Sequence, residues 1–218
     1  MLNVRLRFSK TFDARYISHL DLARCFSRAI KQSGLDVWYT EGFNTHLYMT
    51  FALPLSLGFE SICEIADIRL NGDLFDDYMP ERINRHLPHG IEVYDAGQPV
   101  QKTSEIAWSH YKIELAGSAD IARILQKAKA LSEQGEIIIA KKSKKGKVSD
   151  VDIKPLVHSF STSQQNDICY IDAVLASGNE KTLNPQILMD MLFDSDITPE
   201  RQLVKRIRIL NAGMENFE

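Results

Sequence analysis

Along this chain, segments with the alternating apolar spacing of a strand and segments with the apolar spacing of a helix follow one another in a definite order. The same order then occurs a second time, and it constrains the fold more than any other feature. Val4, Leu6 and Phe8 alternate with polar residues, which is typical of a strand with one buried face. A helical spacing follows between Ser18 and Gly34. The rest of the first half is predicted to contain two strands, a helix and a strand, at residues 35–40, 61–70, about 73–87 and 90–95. A further short strand is a candidate around 47–52. The order β-α-β-β-α-β is that of a ferredoxin-like fold.

The same order starts again after a polar stretch at 97–105, which indicates a linker. The second half is predicted to contain a strand, a helix capped by Ser118, three strands, a helix introduced by Asn184 and a last strand. Its predicted strands lie at 108–115, 136–141, 151–160, 168–175 and 202–210. The sequence therefore predicts an α+β protein of two tandem ferredoxin-like halves with antiparallel sheets, divided into domains at 1–100 and 105–218.

Composition and residue spacing argue against several classes of function. No stretch reaches the roughly 20 apolar residues that span a bilayer, and the first ten residues do not resemble a signal peptide, so we expect a cytoplasmic protein without a membrane partner. Cys25, Cys63 and Cys169 lack the spacing of a zinc or cluster site, and we expect buried thiols. Glycine-rich phosphate loops, catalytic serine elbows and zinc-binding histidine helices are missing from the sequence. We therefore expect no cofactor, no metal and no self-contained catalytic site.

Basic side chains form local groups, although the net charge of −3 argues against coating of nucleic acid by bulk electrostatics. Arg24, Arg28 and Lys31 form a stripe on the first predicted helix, opposite its apolar face. The first and last strands and a lysine-rich hairpin tip add the candidates Arg5, Arg7, Arg206, Arg208, Lys141, Lys142, Lys144 and Lys145. If these groups share a surface, they predict a binding site for the phosphates of a nucleic acid. The alternative is a solvated surface with internal ion pairs.

Two polar segments of the first half supply candidate catalytic residues. Ser18 is followed by Asp21 at the start of the first helix, a spacing that satisfies the free amides there. The alternative interpretation joins His19 and Asp21 with His46 in an acid/base or metal site, and Glu64 is a further acid/base candidate. The loop before His46 contains the turn residues that would present this histidine, Gly42, Phe43 and Asn44.

The segments ARYISHLDLARCFSRAIKQSGL, EGFNTH, FALPLSLGFES and CEIADIRL resemble the start of the bacterial radical-SAM-linked protein family. The matching positions are Ser18 to Leu22, Arg28-Ala29, Gly42 to His46, Pro54-Leu55 with Gly58, Glu64, and Leu87-Pro88 with Gly90-Ile91. Thr45 and Leu47 depart from the family, which has proline there. The resemblance implies a radical SAM protein as the partner, which would hold the iron–sulfur cluster, and it implies no assigned activity for this chain.

Three hypotheses follow. The first is an accessory module that binds RNA or another phosphate-rich substrate for a radical SAM enzyme. The second is a stand-alone hydrolase or RNA-processing enzyme that uses His19, His46 and Glu64 as acid/base groups. The third is a purely structural partner that binds the radical SAM protein through an apolar patch and touches no substrate. The candidates for this patch are Tyr48, Met49, Phe51 and Phe59.

Overall fold

The computed structural model describes residues 1–72, 75–117, 121–142, 148–178, 181–193 and 199–218, without the side chain of Lys142. The predicted cap Ser118 and the predicted phosphate-binding residues Lys144 and Lys145 lie outside the described residues. The fold is mixed α+β, with a large and mostly antiparallel sheet and few helices. The chain divides into two compact units, which are Met1–Glu105 with Lys205–Ile207 and Phe217–Glu218, and Ile106–Val204 with Arg208–Asn216.

The elements of the first unit are β1 (Leu2–Lys10), a 3₁₀ turn (Phe12–Tyr16), α1 (His19–Gln32), β2 (Met49–Phe51), β3 (Glu60–Leu70), α2 (Met79–Asn84) and β4 (Ile91–Gly97). Three of its strands pair antiparallel in the order β4-β1-β3. β2 pairs antiparallel with β3. Lys205 and Arg206, from the last strand of the chain, pair parallel with Glu60 and Ser61 of β3. Glu60 and Ser61 therefore have a neighbour on the side of β3 opposite β1.

Helix α1 packs its apolar face onto this sheet and leaves its outer face to solvent. Ser18 begins the helix because its side-chain oxygen accepts a hydrogen bond of 3.2 Å from the backbone N–H of Asp21. Phe26 and Ala29 are fully buried, and the ring centroids of Phe26 and Phe8 lie 4.7 Å apart. Burial of one such apolar side chain stabilises the fold by about 1.5–3 kcal/mol. Packing of this apolar face against the sheet therefore fixes the orientation of α1.

The elements of the second unit are β5 (Ile106–Ala116), α3 (Ile121–Glu133), β6 (Ile138–Lys142), β7 (Val148–Asp152), β8 (Val157–Gln165), β9 (Ile168–Ala176), α4 (Pro185–Leu192) and β10 (Arg201–Asn211). Four of its described strands lie in the order β10-β5-β9-β8, and β6 and β7 form a separate hairpin. Within the described part of the chain, every helix is too short or too polar to span a bilayer.

The predicted mixed α+β class with antiparallel strands is confirmed, whereas the tandem ferredoxin-like halves stay a prediction. The short strand predicted around 47–52 is present as β2. The strand predicted at 35–40 is reduced to single bridges at Val37 and Tyr39. A loop of mixed polar and aromatic residues therefore connects α1 to β2.

Proline explains two further differences from the predicted elements. The helix predicted at about 73–87 is the short α2, with Pro80 in its first turn, where the missing amide costs nothing. The strand predicted at 151–160 is interrupted by a 3₁₀ turn at Lys154–Leu156, whose central proline cannot donate to a ladder.

Candidate functional site

Helix α1 and the loop after it line an open groove with a volume of about 620 Å³. Arg24, Arg28 and Lys31 lie along this groove, and all three side chains are exposed. Their spacing of four and three residues puts them on one side of the helix. The apolar lining of the groove consists of Leu20, Ala23, Leu47 and Met49. We call this feature the α1 groove.

Two of the three cations in the α1 groove have no carboxylate partner among the residues that the structure describes. Arg24 pairs with Asp21 at 2.9 Å, and the hydrogen bond from Ser18, followed by the contact with Arg24, lowers the pKa of that carboxyl. Arg28 has no ion pair in the described part of the chain. The ammonium group of Lys31 lies 5.5 Å from the ring centroid of Tyr39. Arg28 and Lys31 can therefore meet an external anion without first losing a carboxylate partner.

The loop before β2 brings His46 to the same groove. Its Nδ1 lies 2.9 Å from the backbone oxygen of Asn44 and 3.0 Å from Oγ1 of Thr40. A carbonyl oxygen only accepts hydrogen bonds, so Nδ1 carries the proton in the neutral ring and Nε2 remains an acceptor. Gly42 supports this turn with φ of +121°, and the ring of Phe43 at the tip is fully exposed.

The four candidate catalytic residues do not form one cluster. His19 is exposed and its ring centroid lies 5.2 Å from that of Phe51. Glu64 is 3% exposed and pairs with Arg206 at 2.8 Å. In the described residues, no hydrogen bond or ion pair joins Glu64 to His19 or His46. The described residues also contain no group of His, Cys, Asp and Glu that could hold a metal ion.

Two of the predicted phosphate-binding arginines are buried. Arg5 binds Asp67 with both Nε (2.8 Å) and Nη2 (2.9 Å) and donates from Nη1 to two backbone oxygens. Arg206 donates from Nη1 to Glu64 and from Nη2 to the backbone oxygen of Pro54 at 2.9 Å. The expectation that these two guanidinium groups face an external polyanion needs correction, since carboxylates inside the fold take up their charge.

The remaining predicted basic residues are distributed over other elements. Arg7 is partly exposed and lies 3.5 Å from Asp95, whereas Arg208 and Lys141 are exposed in the second unit. The structure therefore groups Arg24, Arg28 and Lys31 with His46, and no other predicted catalytic or phosphate-binding residue among those described lines this groove. The proposed protein-contact residues are partly or fully buried, namely Tyr48, Met49, Phe51 and Phe59.

Sequence reasoning missed a buried group of charges at one end of β1 and β3. Lys10 is 2% exposed and its Nζ donates to the backbone oxygens of Arg15 and Ile17. Burial lowers the pKa of this ammonium group, and Glu64 partly opposes that change. The sequence does contain a signal for the burial of Lys10, because this residue continues the alternation of Val4, Leu6 and Phe8 and so falls on the buried face of the strand.

Cys63 is expected to react very slowly with alkylating reagents in the native protein. Burial, and then the charge of Glu64, raises the pKa of this thiol to about 12, from an ordinary value of 9.0. At pH 8 the thiolate fraction falls about a thousand-fold, and the thiolate is the nucleophile. Because the folded thiol has the higher pKa, this contribution to stability is complete below pH 9.0 and is lost as the pH rises towards 12.

Timed iodoacetamide labelling followed by mass spectrometry of the Cys63 peptide tests this expectation, and labelling in denaturant provides the control. Native labelling at the rate of the unfolded chain contradicts it.

Of the predicted buried thiols, Cys169 is buried, whereas Cys25 and Cys63 are half-buried.

The fold and the groove define an α+β protein with a cationic surface on its first helix. More specifically, the chain belongs to the family described as "Uncharacterized protein conserved in bacteria (DUF2344)", which it matches over residues 3–185. This finding supports the predicted membership in an uncharacterised bacterial family, whereas the link to a radical SAM enzyme stays a prediction.

Curated proteins gave no match to the chain. Among solved structures, the chain is similar to one in "Crystal Structure of a Cbf5-Nop10-Gar1 Complex", with 9% identity, a TM-score of 0.49, and coverage of 94% of this chain and 48% of that one. It is also similar to "Crystal Structure of an Unknown Protein from Galdieria sulphuraria", with 12% identity, a TM-score of 0.25, and coverage of 88% and 87%. The chain spans about half the length of the first of these structures. Both likenesses are too remote to carry an argument about function.

Proposed function

We propose that this protein binds RNA or another phosphate-rich ligand in the α1 groove and acts as an accessory module without catalysis of its own. The proposal depends on one observation, which is the alignment of Arg24, Arg28 and Lys31 along one exposed helix face. A helix rises 1.5 Å per residue, so these residues are separated along the helix axis by about 6 Å and about 4.5 Å, which suits neighbouring phosphates of one strand. The apolar lining of the groove gives the base or sugar a surface to contact.

The position of Glu64 favours binding over hydrolysis. The proposed acid/base mechanism needs this carboxylate beside a histidine, but Glu64 is buried with Arg206 as its partner. His46 lines the groove with an acceptor nitrogen, so it is suited to accept a hydrogen bond from a ribose hydroxyl or a base.

The identity of the partner rests on sequence resemblance. The segments that resemble the radical-SAM-linked family include Ser18 to Leu22, at the start of α1, and Gly42 to His46, which ends at the groove. A radical SAM enzyme would supply the iron–sulfur cluster, and this chain would present the substrate. Co-purification of the two proteins with and without added RNA tests this part of the proposal, and failure to co-purify under both conditions contradicts it.

Replacement of Arg28 and Lys31 by glutamine should weaken binding to single-stranded RNA and reduce its salt dependence. Each phosphate contact contributes about −0.7 to the slope of log K against log salt for a single strand, so loss of two contacts should make the slope less steep by about 1.4. Fluorescence anisotropy with a labelled oligonucleotide, measured at several salt concentrations, gives both quantities.

A double replacement of Lys112 and Lys181 by glutamine is the matched control, because both lysines are exposed and the change in net charge is the same. The control should keep the affinity and slope of the wild type. Equal losses in the two double variants would mean that bulk charge, and not the α1 groove, attracts the RNA. Absence of measurable RNA binding by the wild type would contradict RNA as the ligand of the α1 groove.

A further inference from the structure

Phe12 holds an unfavourable backbone conformation while its side chain stays in solvent. Its φ is +53°, in the left-handed region that bulky residues rarely adopt because Cβ crowds the neighbouring carbonyl. The side chain is 64% exposed, so core packing does not explain the choice of phenylalanine. Strain of this kind persists only where the surroundings impose it, and it concentrates at functional sites.

The surroundings of Phe12 impose its conformation through contacts on both sides. The backbone N–H of Thr11 donates to the oxygen of Gly90 at 2.7 Å, and the N–H of Phe12 donates to Oε1 of Glu60 at 3.1 Å. Glu60 is buried and is itself held by Lys205 at 3.0 Å. The turn is therefore rigid before any ligand arrives, which lowers the entropy cost of binding.

Two exposed aromatic rings project from this turn, and each has a cationic or titratable partner. The ring of Phe12 stacks on that of His89, with centroids 5.6 Å apart and planes inclined by 22°. Tyr16 is 62% exposed, and the guanidinium of Arg15 lies 4.8 Å from its ring centroid. We call Phe12, Arg15, Tyr16 and His89 the aromatic ledge.

We propose that the aromatic ledge stacks against unpaired bases of single-stranded RNA. This inference rests on the RNA binding proposed for the α1 groove and names the part of the substrate that is recognised. Flat rings beside a guanidinium and an imidazole are the surfaces on which single-stranded nucleic acids stack. The guanidinium of Arg15 lies 4.0 Å from Oε1 of Glu60 and is only partly exposed, so its charge is shared with that carboxylate. Its planar face beside Tyr16 still suits an unpaired base and favours RNA over an apolar protein segment. In a duplex the base faces are covered, so the ledge should select single strands.

The variant Phe12→Gly tests the proposal, because glycine adopts the left-handed conformation without steric cost. Its melting temperature should equal or exceed that of the wild type. Its affinity for a labelled single-stranded RNA should fall about 5- to 150-fold, the range expected for loss of one stacked base. Its affinity for an RNA duplex should stay unchanged. Phe12→Tyr, which keeps a ring, should bind nearly as the wild type does.

The matched control is Tyr78→Ala, which removes an exposed aromatic ring from another part of the same unit. It should leave both affinities unchanged. Wild-type affinity of Phe12→Gly for single-stranded RNA overturns the ledge proposal, leaving protein docking as the alternative use of this surface. An equal loss for single strands and duplex also overturns it. The RNA-binding proposal for the α1 groove survives both results as long as the Arg28 and Lys31 double variant binds weakly, and it fails together with the ledge only if the wild type binds no RNA.

Discussion

Replacement of Arg206 by methionine is expected to lower the free energy of unfolding by about 3–5 kcal/mol, because it leaves a buried carboxylate without its partner. Arg206 and Glu64 are 3% exposed each and their side chains meet at 2.8 Å. The change also removes the hydrogen bond to the backbone oxygen of Pro54. Lys10 lies near Glu64 but directs its ammonium group to backbone oxygens, so it should not replace the arginine. Urea denaturation followed by circular dichroism measures the loss.

Two further variants separate the ion pair from other effects. Arg208→Met changes an exposed arginine on the same strand and should alter stability by less than about 0.5 kcal/mol. The double variant Glu64→Leu/Arg206→Met removes both charges and should recover most of the loss, since an apolar pair often replaces a buried ion pair without cost. A double variant as unstable as Arg206→Met alone would show that packing, and not the unpaired carboxylate, explains the loss.

The buried ion pairs also show why the alternation of a strand, taken alone, predicts a binding surface for the strand arginines. Val4, Leu6 and Phe8 are fully buried, as their alternation predicted. Arg5 lies between two of these buried residues on the same strand, so the alternation predicts that its side chain faces solvent. Its partners are Asp67, Gln101 and Glu218, which are 62, 96 and 213 residues away along the chain. Contacts at such separations depend on strand order and register, which the alternation of one strand does not contain.

The basic residues of α1 were more predictable because local geometry decides which side of a helix faces the sheet. The apolar spacing that buries Phe26 and Ala29 also directs Arg24, Arg28 and Lys31 to solvent. The contribution of the loop could not be derived in the same way, since His46 reaches the groove through hydrogen bonds to Asn44 and Thr40. The aromatic ledge had no local signal either, because the left-handed conformation of its phenylalanine depends on a distant glutamate and glycine.

Replacement of Gly90 by alanine is expected to destabilise the first unit by about 2–5 kcal/mol, from left-handed strain and overpacking together. Gly90 has φ of +85°, and a Cβ there would overlap the backbone oxygen of Thr11 and lie 3.0 Å from Cβ of Ala14. Backbone atoms cannot move aside as a flexible side chain does, so the turn that carries Phe12 must shift. Thermal unfolding should show the loss, and affinity for single-stranded RNA should fall with it, because the ledge depends on this turn.

The variant Gly58→Ala separates the cost of left-handed backbone strain from the cost of atomic overlap. Gly58 has φ of +84°, nearly that of Gly90, but a Cβ there would meet no atom within 4 Å. Its replacement should therefore cost only about 1–2 kcal/mol. Alanine keeps the backbone N–H that donates to the oxygen of Arg15 at 2.9 Å, so RNA binding should stay unchanged. Equal costs at the two glycines would mean that the contact between Gly90 and Thr11 is loose, and the aromatic ledge would then lack the rigid support on which its proposed stacking depends.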